Sequence, residues 1–365
     1  MGTRITIGIM AGGTGGHVFP ALAVAEELRQ HGVDIFWIGT RSGMEARLVA
    51  EHGFELEWID IAGVRGKGWA TRLRLPFALM TAVRQARAIL QRRRPALMLG
   101  MGGFVAGPGG LAARMLNIPL VIHEQNGISG LTNRWLARIA TQVFEAFPNS
   151  FPPARGAITV GNPVRRAILD VKPHLEKSEF EPLHLLILGG SLGAQIFNEL
   201  VPVALAAVPE NLRPLVRHQT GERTLHIAQT AYQTAGVNAE ITPFISDMAA
   251  AYDWADLVIC RAGALTVAEL AAAGVASVLV PYPFAVDDHQ VGNARYLADA
   301  GAARLVLQRD LSASSLTALL TELLANRTEL LAMAQRARQL AQPNATARIT
   351  AACLTIAHRD RAADN

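Results

Sequence analysis

The chain has 365 residues, half of them hydrophobic and 18% charged, with a formal net charge of +4. That composition excludes a disordered chain and is ample for a large buried core, in two domains or one large one. Two cysteines, Cys260 and Cys353, are too few for a disulfide-stapled scaffold or a cysteine-rich zinc site, and they fit a reducing compartment.

The opening residues MGTRIT match a myristoylation pattern, but they read as an ordinary lead into a first strand. No secretory leader pattern precedes the apolar run RITIGIM at 4–10. After it, Gly12-Gly13-Thr14-Gly15-Gly16-His17 separates that strand from a helix expected over 19–31, with Pro20 in its first turn. Backbone amides at such a helix start make an anion site, and glycines let a ligand approach closely. The loop lacks the spacing of the dinucleotide fingerprint and the Lys-Ser/Thr pair of a Walker loop. Histidine is the side chain that ordinarily titrates near neutrality, so His17 is a candidate general base. Tight strand–helix packing is the plainer use of these glycines.

A second apolar run follows at 34–39. Between Asp60 and Glu124 there is no acidic residue, and residues 61–94 carry nine basic ones. Trp69, Leu73, Leu75, Phe77, Leu79 and Met80 are interleaved with them. This basic, aliphatic segment, centred on 65–84, suits an anionic membrane surface better than a nucleic acid. An ordinary helix with a solvated face and a packed face is the alternative. Residues 95–113 are uncharged over 19 positions but hold six Gly and two Pro. They read as a buried strand and a glycine loop rather than a membrane span.

Further short apolar runs lie at 119–123, 141–144, 157–160, 184–188, 214–217, 256–259 and 276–280. Helical stretches fall between them, including 265–273 and 315–341, with a closing helix over 344–360. Apolar runs alternating with helices imply α/β architecture with parallel sheets covered on both faces. Prolines cluster through 148–182, and beyond them a strand–glycine loop–helix unit starts again as HLLIL-GGSLGAQ-IFNELV. The expected division is therefore 1–160, 161–343 and a C-terminal helix within 344–365 that packs back on the first domain.

The second glycine loop, Gly189-Gly190-Ser191-Leu192-Gly193, also fits the nucleophile-elbow pattern. A hydrolase would then draw on Asp256 or Glu269 and on His289. The repeated glycine loop favours phosphate binding by amides and the Ser191 hydroxyl instead. Arg261-Ala262-Gly263-Ala264-Leu265-Thr266-Val267-Ala268-Glu269 opens another helix after a strand, and Glu269 suits a ribose diol or the helix dipole. Polar clusters His123-Glu124-Gln125-Asn126 and Asp287-Asp288-His289-Gln290 end two further strands, where open α/β sheets bind ligands. Neither has metal-ligand spacing.

GGTGGHVFPALAVA, HEQNGISG, GNPVR, GGSLGAQ, HQTG and CRAGALTVAEL occur in that order, within a resemblance that spans about residues 5–350. The ordered set resembles the bacterial MurG family, the UDP-GlcNAc-dependent N-acetylglucosaminyltransferases of peptidoglycan synthesis. The resemblance implies a GT-B fold, two Rossmann-like domains facing a deep cleft. It implies inverting transfer of GlcNAc from UDP-GlcNAc to the MurNAc 4-hydroxyl of lipid I, giving lipid II and UDP. It further implies no metal or other cofactor, a peripheral place on the cytoplasmic face of the plasma membrane, no nucleic acid partner, and cell-wall synthesis proteins as possible neighbours. On matching positions, Thr14, Gly15, Gly16 and Asn126 would line the GlcNAc site. Arg165 and Ser191 would hold the donor, and Ile245 would meet the uracil through its backbone. Ala264, Leu265, Thr266, Val267, Ala268 and Glu269 would form the nucleotide pocket, and Gln290 would reach sugar hydroxyls. His17 would take the acceptor proton. Another UDP-sugar enzyme of the same fold, such as an epimerase or a glycolipid synthase, is the alternative, with a Ser191 hydrolase behind it.

Overall fold

The computed structural model describes residues 4–61, 69–172, 181–190, 193–284 and 288–364. The first three residues, positions 65–68 of the basic segment, Ser191 and Asp287 lie outside them. The chain divides into two compact units, one of residues 1–164 with 343–365 and one of 165–342.

In the first unit the strands are β1 (Thr6–Met10), β2 (Asp34–Gly39), β3 (Glu55–Trp58), β4 (Leu97–Gly100), β5 (Leu120–Glu124), β6 (Gln142–Glu145) and β7 (Ile158–Thr159). They form a parallel sheet in the order β3-β2-β1-β4-β5-β6-β7. Its helices are α1 (Gly15–Gln30), α2 (Glu45–Glu51), α3 (Trp69–Arg93), α4 (Ala106–Met115) and α5 (Leu131–Leu136). The C-terminal helix Ala345–Asp364 joins this unit, burying Ile349, Cys353 and Ala357 with Ile7, Ile9, Ala21 and Leu28. On the opposite face Met10, Phe36 and Met98 pack with Ala82, Ala86 and Ala112 of α3 and α4. Strands buried on both faces need the continuous apolar runs seen in β1, β4 and β5. Each fully buried Leu, Ile or Val side chain contributes about 1.5–3 kcal/mol.

The second unit holds β8 (His184–Leu188), β9 (Leu215–Gln219), β10 (Glu240–Thr242), β11 (Leu257–Cys260), β12 (Ala276–Leu279) and β13 (Ala303–Leu305). These too are parallel, in the order β10-β9-β8-β11-β12-β13. Helices α6 (Arg166–Leu169), α7 (Gln195–Ala207), α8 (Leu225–Ala235), α9 (Met248–Trp254), α10 (Ala264–Ala273), α11 (His289–Ala298), α12 (Ala313–Leu324) and α13 (Arg327–Gln339) cover it. In both units the strand order reverses beside the first strand, between β1 and β4 and between β8 and β11. Open α/β sheets bind ligands beyond the strand ends at such switch points.

Three local expectations need correction. Helix α1 begins at Gly15, so Pro20 lies in its second turn rather than its first. Residues 106–113, read as loop, are helix α4, and the stretch 315–341 is two helices, broken where the Asn326 side chain caps α13 by accepting from Glu329 N. Among the described residues no helix is long and apolar enough to cross a membrane.

Candidate functional site

The first switch point carries the first glycine loop. Thr14 is the N-cap of α1, but its hydroxyl meets Nδ1 of His17 at 3.2 Å instead of capping the helix. The loop is tied down from a distance. Glu45, fully buried at the start of α2, accepts from Gly13 N at 3.0 Å and from the Thr40 amide and hydroxyl at 2.9 and 2.8 Å. The Gly13 amide is thus satisfied by a protein carboxylate.

The loop after β4 packs against it. Gly102 and Gly103 both have positive φ (95° and 84°), and a Cβ on Gly103 would sit 2.2 Å from the Gly12 carbonyl oxygen. A Cβ on Gly102 would strike the His17 ring. Only glycine serves at either position. From β5, His123 and Gln125 are buried, and Glu124 accepts from Asn126 N and Nδ2, Gly130 N and Asn133 Nδ2. His17, Thr14, Gly102 and Gln125 therefore form one cluster, beside Asn126 on the β5 loop.

At the second switch point Gln219, ending β9, grips the second glycine loop. Its Oε1 accepts from Gly190 N at 2.9 Å while Nε2 donates to the carbonyls of Gly190 and Pro243. Arg261 stands nearby, over the rings of Phe197 and Tyr282 at 4.9 and 5.5 Å, and donates to the Val280 carbonyl. An open pocket of about 400 Å³ is lined by Gly193, Gln195, Arg223, Arg261, Tyr282 and Gln308, so two cations face it at the start of α7.

Helix α10 starts at Ala264 with Gly263 as its cap, which leaves the amides of its first turn outside the helical ladder. Val267 is fully buried and Glu269 nearly so. Arg165 Nη2 lies 3.1 Å from Glu269 Oε1, and Tyr252 donates its hydroxyl to Oε2 at 3.1 Å. Burial pushes the Glu269 carboxyl up from its ordinary value, and Arg165 and Tyr252 pull it back. Each oxygen keeps a second lone pair for a ligand. Arg165 also lines a depression of about 350 Å³ with Ile168, Ser246, Asp247 and Met248, next to half-buried Ile245. Gln290, on the first turn of α11, accepts from Tyr282 N at 2.9 Å.

Asp256 precedes β11 and accepts from His184 N at 2.8 Å. That contact is at the N-terminal edge of the sheet, whereas Gly189 follows the C-terminal end of β8. The separation, about four residues of strand, removes Asp256 from any triad with the glycine loop. Among the described residues no group of three or more His, Cys, Asp or Glu is placed to hold a metal ion.

Residues 7–145 match the glycosyltransferase family 28 N-terminal domain, and 184–349 match the glycosyltransferase family 28 C-terminal domain. The chain belongs to glycosyltransferase family 28. It is 54% identical over 355 residues to a Nitrosococcus oceani protein named UDP-N-acetylglucosamine–N-acetylmuramyl-(pentapeptide) pyrophosphoryl-undecaprenol N-acetylglucosamine transferase, covering 97% of this chain and 99% of that one. A Cellvibrio japonicus protein of the same name is 53% identical over 359 residues, with 97% and 99% covered. The crystal structure of Acinetobacter baumannii MurG matches with a TM-score of 0.83 at 43% identity, over 96% of this chain and 100% of that one. A UDP-N-acetylglucosamine 2-epimerase shares the fold at 15% identity, with a TM-score of 0.66. The two-domain GT-B architecture expected from the motifs is therefore the fold of this family 28 chain.

Glu45, Gln125, Gln219 and Arg261 were not singled out by sequence reasoning. Gln125 and Gln219 stand inside the HEQNGISG and HQTG motifs, the one signal that could have found them. Arg261 likewise stands inside CRAGALTVAEL, whereas Glu45 carried no local pattern of its own.

Proposed function

We propose that this chain transfers GlcNAc from UDP-GlcNAc to the 4-hydroxyl of MurNAc in undecaprenyl-pyrophosphoryl-MurNAc-pentapeptide, giving lipid II and UDP with inversion at the anomeric carbon. The observation that carries this reading is identity above 50% over nearly the whole length with transferases of that name. The switch-point chemistry fits it.

An acceptor hydroxyl has a high pKa and needs a positioned base. His17 takes its proton as the oxygen attacks the anomeric carbon, and the bonding pair of the C–O bond leaves with UDP. The diphosphate gains charge as it departs. The α10 amides, Ser191, Arg165 and the nearby Arg261 offset that charge. Ile245 takes the uracil, Glu269 the ribose, Gln290 the sugar hydroxyls, and Thr14, Gly15, Gly16 and Asn126 the GlcNAc and acceptor.

On this reading the acceptor's lipid puts the reaction at a membrane, and we propose the cytoplasmic face of the plasma membrane. Helices α3, α4 and α5 expose Phe77, Met80, Met115, Leu131 and Trp135 alongside Arg84, Arg87, Arg114 and Arg134, with Arg138 exposed just beyond α5. This mixture suits insertion of apolar side chains beneath anionic headgroups.

UDP release from UDP-GlcNAc, measured with and without a soluble lipid I analogue and with EDTA, tests the reading. Acceptor-dependent release that survives EDTA is expected. Donor binding without acceptor-dependent release would move the assignment to another UDP-sugar reaction.

A further inference from the structure

The hydrogen bonding of His123 and Gln125 admits one arrangement. Burial keeps His123 neutral, pushing its titration down to about 4. A neutral ring carries one proton. Its Nε2 lies 2.9 Å from the Gly161 carbonyl, which only accepts, so the proton is on Nε2. Nδ1 is then an acceptor, and the Gln125 amide nitrogen meets it at 3.2 Å. The same nitrogen donates to the Met101 carbonyl at 2.8 Å. With the amide hydrogens committed on that side, Gln125 Oε1 must face the other way.

That oxygen is buried and has no hydrogen-bond partner among the described residues. Beside it is His17. The position of a Cβ on Gly102 would be 2.9 Å from His17 Nε2 and 3.3 Å from Gln125 Oε1. The absent methyl at residue 102 is the space that the ring and the amide oxygen share. A buried acceptor left unpaired is costly, and a charge-assisted hydrogen bond relieves it most strongly.

We propose that Gln125 is a positioning residue for His17, its Oε1 accepting the Nε2–H of the ring once the ring has taken a proton. The proposal rests on the reading of His17 as the base. The base reading requires the neutral ring to carry its proton on Nδ1, toward the Thr14 hydroxyl 3.2 Å away, with the lone pair on Nε2. When the acceptor O–H bond breaks, its proton goes to Nε2 and its electron pair forms the new bond to the anomeric carbon. The resulting Nε2–H turns to Gln125. The titratable groups on the surrounding elements are already engaged: Glu45 with Gly13 and Thr40, His123 with Gly161 and Gln125, and Glu124 with Asn126, Gly130 and Asn133.

The test is the titration of His17 by NMR in full-length protein labelled at histidine nitrogen, compared between wild type and Gln125→Met. Losing the acceptor should lower the His17 pKa by about one unit and kcat about tenfold, leaving KM for UDP-GlcNAc unchanged. Gln125→Asn, which withdraws the oxygen by one methylene, should behave alike. A merely structural role would lower the melting temperature without moving the His17 titration, and that result would overturn the proposal. Should Gln125→Met not fold, the wild-type spectrum decides: a slowly exchanging Nε2–H of His17 on the acid side of its titration supports the contact, and a freely exchanging one refutes it. A fully active His17→Ala would overturn the base reading while leaving the His17–Gln125 coupling readable by NMR. An inactive His17→Ala with an unshifted titration in Gln125→Met would overturn the coupling alone.

Discussion

Glu45 accepts the Gly13 amide at 3.0 Å across 32 residues of sequence, so the first glycine loop is held by a carboxylate from α2. Its other oxygen is bound by the Thr40 amide and hydroxyl. No cation takes part in these three contacts. Glu45→Ala leaves two backbone N–H groups without their acceptor and opens a cavity. It should cost about 2–4 kcal/mol in urea unfolding and lower kcat more than donor affinity. Glu45→Gln keeps the volume but turns an amide hydrogen toward one donor, and should fall between. A wild-type kcat in Glu45→Ala would show that the loop holds its shape unaided.

Glu269 couples stability and binding in a different way. Burial raises its carboxyl above the ordinary glutamate value, so the unfolded chain ionises first as pH rises. Stability therefore falls as pH rises from that ordinary value to the folded pKa, and the full cost remains at every pH above it. Glu269→Gln removes the buried charge while keeping partners for Arg165 and Tyr252. Its unfolding free energy should stay within about 1 kcal/mol of wild type, while UDP affinity falls about tenfold or more with loss of the ribose contact. Glu269→Ala removes an acceptor of the buried Tyr252 hydroxyl and of Arg165 and opens a cavity, and should lose about 2–4 kcal/mol besides. Calorimetry of donor binding separates the two effects, and unchanged UDP affinity in Glu269→Gln would contradict the ribose role.

Each unit carries a buried histidine that resists protonation. Burial pushes His123 down to about 4 and His218 down to about 3. Unfolded histidine takes its proton near pH 6.5. Between that pH and the folded values the unfolded chain binds more protons, so stability falls as pH falls. The expected loss is about 2 kcal/mol per histidine by pH 5. His218→Asn should destabilise at neutral pH, through loss of the 3.0 Å contact with the Tyr232 hydroxyl, yet flatten the slope of the second unit between pH 7 and 5. Urea unfolding at the two pH values measures it, and an unflattened slope would assign the acid sensitivity to other groups.

These elements also mark what the chain makes legible. Continuous apolar runs such as PLVIH and HLLIL announce central strands because both faces are buried. The edge strands β3, β10 and β13, with sequences ELEW, EIT and ARL, escape that reading because solvent and charge partners share their surfaces. Helix α4 reads as a loop because AGPGG looks like punctuation. Its glycines are instead a packing face: a Cβ on Gly109 would lie 2.2 Å from Met10 Sδ, and one on Gly110 2.6 Å from Leu136 Cδ2. The glycine loops and Glu269 stand out locally. Glu45 and Gln219 do not, since each acts through hydrogen bonds to backbone groups distant in sequence, which no periodicity encodes; Gln125 shows only as one member of a polar cluster, and its contact with the Met101 carbonyl is not legible there.

The remaining prediction concerns the exposed face of α3, α4 and α5. Phe77 and Trp135 are 68% and 63% exposed, more than large apolar side chains need be in a helix packed on a sheet. Arg138 lies over the Trp135 ring at 4.5 Å, so cation and aromatic group are presented together. Burying one such side chain in a membrane interface contributes about 1.5–3 kcal/mol, roughly ten- to a hundredfold in partitioning. Phe77→Asp and Trp135→Ser should each weaken binding to vesicles containing phosphatidylglycerol by about tenfold or more. Paired removal of Arg134 and Arg138 should weaken it less in high salt than in low salt, because screening already reduces the headgroup attraction. UDP-GlcNAc affinity in solution should not change in any of these variants. Vesicle co-sedimentation reads the outcome: retained binding in Phe77→Asp and Trp135→Ser would remove this face from the membrane contact.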